Sequence, residues 1–213
     1  MSTFSTFRPE PINSAHLTSP YHSEVQPLAR QCLSQEPDGL TTIFQPDVNL
    51  AVWQRHVSSH LHSYAHQLQT QLTLPLQCML SLSDIPHELS NALPEGEGRD
   101  LFIADISQLT EMFACLMDCN EIGLRLRVLD KPMCPKFHTD HLVCRLVSSY
   151  TGPATEWHAG PVDAPMPTQQ LQCGDVALLK GSGWENSGCY AISHRSPAAT
   201  NKRLLLTMDP VWS

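Results

Sequence analysis

The chain has 213 residues, 41% of them hydrophobic and 16% charged, with a formal net charge of -8 at pH 7. That apolar fraction excludes a chain disordered throughout, and 213 residues suffice for one domain with a sizeable core. The 13 Lys and Arg form no dense run, so neither nucleic acid nor an anionic membrane is an expected partner.

No apolar segment approaches the roughly 20 residues that span a bilayer. The start, "MSTFSTFRPEPINSAH", has neither a basic beginning nor an apolar signal core, so a cytoplasmic location is expected. The eight cysteines (Cys32, Cys78, Cys115, Cys119, Cys134, Cys144, Cys173 and Cys189) are scattered, and in that compartment they are expected as thiols.

Residues 1–45 carry Pro9, Pro11, Pro20, Pro27 and Pro37 with no sustained period, which reads as an irregular leader or a wrap over the surface of a domain spanning 46–213. From Asp47, a candidate cap, Leu50, Trp53, Val57, Leu61, Tyr64, Leu68 and Leu72 recur at helical spacing up to Pro75. His56, His60, His62 and His66 ride on this helix. His56 and His60, one turn apart, are either a second metal site or exposed polar filler.

"SDIPHELSNALPEGEG" predicts a short helix capped by Ser83 or Asp84 and ended by Pro94, Gly96 and Gly98. "DLFIADISQLTEMFACLMD" predicts a further core-facing helix, with Cys115 and Cys119 as small buried hydrophobes. After Gly123 the period becomes two: "LRLRVLD", "HLVCRLVSSY", "GDVALLKG", "CYAISHR" and "RLLLTMD" are short strands separated by Pro and Gly. The expected class is α+β: an antiparallel sandwich or barrel over 121–213, buttressed by helices over 46–120. "LLKGSGW" lacks the spacing of a phosphate loop and reads as a hairpin turn.

The chemistry concentrates in "CPKFHTDHLVCR". His138 and Asp140 are two apart and share a face if they lie on a strand. His194, in "AISHRSP", can join them only if the sheet rolls back on itself. Two imidazoles and one carboxylate leave three positions of an octahedral ion open, the arrangement of non-haem Fe(II) oxygenases. Arg203 follows His194 by nine residues at the head of a strand, where a guanidinium can grip a carboxylate bidentately. Cys134, Cys144 and His141 are further donors, and thiolates favour zinc. By strand parity Cys144 shares the face of His138 while His141 and Arg145 point away, so Arg145 reads as a surface or supporting group. Neither Arg145 nor Tyr150 is a candidate catalytic residue. Glu156 and Trp157 are placed at the rim of the site, with core packing as the main role of the Trp.

The order His-x-Asp, distal His, then Arg nine residues on resembles the Fe(II)- and 2-oxoglutarate-dependent oxygenases of the double-stranded β-helix fold, over roughly Gly123 to Ser213. The resemblance implies His138, Asp140 and His194 as iron ligands, Arg203 as anchor of the 2-oxoglutarate carboxylate, and oxidation of a substrate that no motif names. Over its whole length, and especially in "NLAVWQR", "CPKFHTDHLVCRL", "GPATEW", "GDVALLKG" and "HRSP", the chain also resembles a bacterial family, the domain of unknown function 1826. That likeness leaves open a zinc-related alternative: a jelly-roll, cupin-like module that holds zinc or another divalent ion without catalysis.

Overall fold

The computed structural model describes residues 30–72, 75–163, 165–185, 192–198 and 201–212. Residues 1–29 of the expected leader, Cys189 and the first half of the "CYAISHR" strand lie outside this set. In chain order the elements are β1 (Arg30–Ser34), a 3-10 helix (Pro37–Phe44), β2 (Val48–Trp53), α1 (Ser59–Gln71), β3 (Leu76–Ser81), α2 (Ile85–Ala92) and α3 (Arg99–Met117). Then follow β4 (Glu121–Leu129), β5 (Cys144–Thr151), β6 (Glu156–His158), β7 (Gln169–Gln170), β8 (Val176–Lys180), β9 (Ser193–Arg195) and β10 (Arg203–Val211).

Seven strands form one sheet in the order β1-β2-β8-β5-β10-β4-β3, and three form a smaller sheet, β7-β6-β9. Among the described strands only the edge pair β1–β2 is parallel. This is the double-stranded β-helix expected from the sequence, with helices on the outer face of the large sheet. Alternation along β10 shows how both faces are used. Leu204, Leu206 and Met208 enter the core shared with Phe102, Ile106 and Phe113 of α3, whereas Leu205 joins Val147, Leu179, Trp157 and Ile192 between the two sheets. Trp157 is thus a core residue, as expected of it.

Two expectations about the N-terminal part fail. Residues 30–44 are not an irregular leader: β1 extends the sheet, and Leu40 and Ile43 of the 3-10 helix are buried against it. The helix expected from Asp47 begins only at Ser59, capped by Ser58, whose hydroxyl accepts from the Leu61 amide at 3.3 Å. Its first third is β2, whose first five residues are fully buried. A strand covered on both faces is a continuous apolar run, and such a run satisfies a helical spacing as readily as a strand one. Asp47 instead pairs with Arg30 at 2.9 Å. α2 and α3 lie where the sequence placed them. Cys119 is buried, but Cys115 is exposed, and the helix stops between them at Met117.

On the helix side one polar network is buried. Arg55 holds both carboxylate oxygens of Asp105 and donates Nε to the Gly174 carbonyl at 3.0 Å. The Tyr150 hydroxyl donates to Asp105 Oδ2 at 2.5 Å. Among the described residues no helix is long and apolar enough to cross a membrane.

Candidate metal centre

The site forms where the chain leaves the sheets. His138 is not on a strand. It meets His194 of β9 in an isolated antiparallel bridge, each amide donating to the other's carbonyl at 3.0 and 2.9 Å. Ser196 N bonds Cys134 O at 2.9 Å and extends the pairing. This short ribbon brings the imidazoles side by side, their ring centroids 4.5 Å apart and their planes tilted by 49°. His138 Nδ1 lies 3.0 Å from the Lys136 carbonyl, which can only accept, so this contact places a proton on Nδ1 and leaves Nε2 as the nitrogen facing Asp140.

Asp140 is delivered by a loop clamped against the segment after β8. Ser182 N donates to Asp140 O at 2.8 Å, Gly183 N to Leu142 O at 3.0 Å and Gly181 N to Val143 O at 2.9 Å. A Cβ at Gly181 would overlap the Leu142 carbonyl oxygen, so only glycine allows this approach. "LLKGSGW" is therefore a backbone cradle for the site loop as well as a turn.

The Asp140 carboxylate lies 3.8 Å (Oδ1) from His138 Nε2 and 3.4 Å (Oδ2) from His194 Nε2. One ligand atom from each of the three residues fits within 4.8 Å of the other two, the only such group of three His, Cys, Asp or Glu among the described residues. Metal bonds of about 2.1 Å set neighbouring donors roughly 3 Å apart, so the cluster needs little contraction to hold an ion. Burial works to raise the Asp140 pKa, but the His194 contact and the charges of Arg145 and His138 outweigh it and hold the carboxyl below its ordinary value.

The other proposed donors do not join. Cys144 faces the helix-side core, and burial pushes its thiol up to about 12. His141 is exposed and contacts Ser182 Oγ at 3.1 Å, and Cys134 stands on the wall of the adjoining cavity, outside the cluster. Strand parity does not carry from His138 to Cys144 because residues 139–143 are a loop that resets the phase. Arg145, expected to point away, is beside the site and donates Nη1 to Asp140 Oδ2 at 2.9 Å. Of the two readings given to Arg145 from the sequence, a surface or a supporting group, the contact fits the second, and only the direction taken from parity is wrong. His56 precedes α1, and His60 contacts Glu97 at 3.1 Å, so that pair forms no site.

Beyond the histidines a cavity opens between the sheets, lined among others by His138, His194, Cys134, Leu205 and Arg203. Arg203 is 4% exposed. Its Nη2 donates to Ser196 Oγ at 2.9 Å, while Nη1 is buried with no hydrogen-bond partner among the described residues. Burial lowers its pKa, with only the Cys134 thiol acting in the other direction. Arg203 thus places a buried guanidinium with an unused donor on the cavity wall.

Solved structures with this fold include dioxygenase for auxin oxidation 1 from Arabidopsis thaliana in complex with 2-oxoglutarate (TM-score 0.57, 10% identity, 86% of this chain and 92% of that one). A prolyl-4-hydroxylase from Pseudomonas putida matches at TM-score 0.50 and 10% identity over 82% of this chain and 97% of that one. A Neurospora crassa protein in complex with alpha-KG and 5-formyluracil matches at TM-score 0.51 and 9% identity over 81% of this chain and 77% of that one. No curated protein matches the sequence. Residues 34–209 match the family described as protein of unknown function (DUF1826), and the chain belongs to that family.

Proposed function

We propose that this protein is a mononuclear Fe(II)- and 2-oxoglutarate-dependent oxygenase. The observation that carries the proposal is the pairing of the His138, Asp140 and His194 cluster with Arg203, whose buried Nη1 has no partner among the described residues and which lines the same cavity. A donor set of two imidazoles and one carboxylate, with no cysteine in the cluster among the described residues, suits an oxygen-reactive iron and leaves three positions open. Iron bound there supplies the activation of dioxygen at the expense of the oxoacid.

The residues of the chain do the rest. Arg203 binds the far carboxylate of the dicarboxylate, and Ser196 Oγ holds the guanidinium in place. The Lys136 carbonyl fixes the tautomer and plane of His138. Leu205, Val147 and Leu179 make the cavity wall apolar, which excludes water and strengthens the charge pair formed on binding. The neighbouring structures support the co-substrate, since two of them are named with it, but the substrates in their titles belong to those proteins.

Anaerobic titration with Fe(II) and then 2-oxoglutarate tests the proposal. A weak visible absorption band that needs both additions is expected, and Arg203→Ala should keep the metal yet weaken 2-oxoglutarate binding by about 2–4 kcal/mol. One zinc per chain with no affinity for 2-oxoglutarate would replace the oxygenase by a divalent-metal binding module.

A further inference from the structure

Arg145 leaves β5 on the face between the sheets and spans two carboxylates. Its Nη1 donates to Asp140 Oδ2 at 2.9 Å, while Nε and Nη2 donate to Oδ1 and Oδ2 of Asp209 at 2.7 and 3.0 Å. Asp209, near the end of β10, also accepts from Arg125 of β4. The Asp140 and Asp209 side chains are only 14% and 10% exposed. A two-bond grip on Asp209 fixes the plane of the guanidinium, so the third bond reaches Asp140 from a set direction. A lysine has no fork with which to span both acids.

A carboxylate can ligate an ion through one oxygen or through both, and a hydrogen bond to one oxygen restrains the choice. Here Oδ2 accepts from Arg145 and lies 3.4 Å from His194 Nε2, while Oδ1 accepts nothing from Arg145 and is turned toward His138 Nε2, 3.8 Å away. We infer that Arg145, locked in place by Asp209, is a positioning residue that keeps Asp140 ligating through a single oxygen. The second oxygen is thereby kept out of a coordination position that an oxoacid must occupy. This rests on the oxygenase reading and adds to it a device for holding the open positions open. Arg145 acts through Asp140, and Asp209 acts through Arg145.

The test uses full-length protein loaded with Mn(II), with metal-bound waters counted by water-proton relaxation and 2-oxoglutarate affinity measured by calorimetry. Arg145→Gln should retain Mn(II) to within about tenfold, because losing a nearby cation offsets losing order around the ligand. It should carry fewer bound waters than the parent and bind 2-oxoglutarate about 10- to 100-fold more weakly, the usual range for a residue supporting a ligand. Asp209→Asn should move both readouts in the same direction, and should add less than about threefold once Arg145→Gln is present, because the two act in series. If Arg145→Gln does not fold, Asp209→Asn and Arg145→Lys carry the test with the same expected direction. Parental water counts and affinities in these variants, or outright loss of Mn(II), would leave Arg145 as a structural ion pair and overturn the inference alone. A parent that binds no 2-oxoglutarate overturns the oxygenase reading itself.

Discussion

Arg55 and Arg203 are both buried guanidiniums, on opposite faces of the same large sheet. On the helix side each nitrogen of the Arg55 guanidinium has a partner: Asp105 takes a donor from both Nη1 and Nη2, Gly174 takes Nε, and Tyr150 completes the network. Burial opposes its charge, but the Asp105 hydrogen bond and charge outweigh burial and raise its pKa. Between the sheets Arg203 has one hydroxyl partner and no carboxylate among the described residues, and burial lowers its pKa. A charge desolvated and then neutralised belongs to the architecture, whereas one desolvated and left unpaired costs stability, which on the proposed function binding of the oxoacid would offset.

Breaking the first network should have the largest effect. Asp105→Ala strands the Arg55 charge, whose side chain is 9% exposed, and should cost about 3–5 kcal/mol in chemical denaturation. What remains folded should bind Mn(II) and 2-oxoglutarate like the parent. Arg203→Met should do the reverse. Removing an unpaired buried charge for a side chain of similar length should leave stability within about 1 kcal/mol of the parent, or above it, while 2-oxoglutarate binding is lost. Equal destabilisation by the two substitutions would erase the distinction between the faces.

The smallest effect concerns the two thiols that flank the site in sequence. Cys144, in the helix-side core with its pKa pushed up to about 12, should resist iodoacetamide at a pH of about 8 until the protein unfolds. Cys134, half-buried on the cavity wall, should react, and 2-oxoglutarate with Mn(II) should slow it. Peptide mass spectrometry resolves the two, and early labelling of Cys144 would place it on the wrong face.

The parts legible in advance share a physical character. α2 and α3 carry local signals: an apolar face at helical spacing and terminators in sequence. Of the strands after Gly123, β4 alternates because one of its faces is buried and the other is not, whereas β5, β8 and β10, buried on both faces over most of their length, are legible as short apolar runs between Pro and Gly. β2 misled because its faces are alike, and β1 and the 3-10 helix were missed because a parallel edge pairing between residues far apart in the chain, as between Arg30 and Val48, leaves no local trace.

The sequence by itself determined which residue types were available for a metal and an oxoacid, and that His138, Asp140, His194 and Arg203 stand in an order a rolled sheet can bring together. Those are properties of chain order and side-chain chemistry. Only the tertiary structure decided which donors converge. It turned Cys144 into the opposite core, left His141 on the surface, and brought Arg145 onto Asp140 and Asp209, residues on either side of it in sequence. The reason lies in the loop of residues 139–143, held by backbone bonds to Gly181, Ser182 and Gly183. Its path is set by contacts distant in sequence, and it breaks the two-residue period on which strand parity depends.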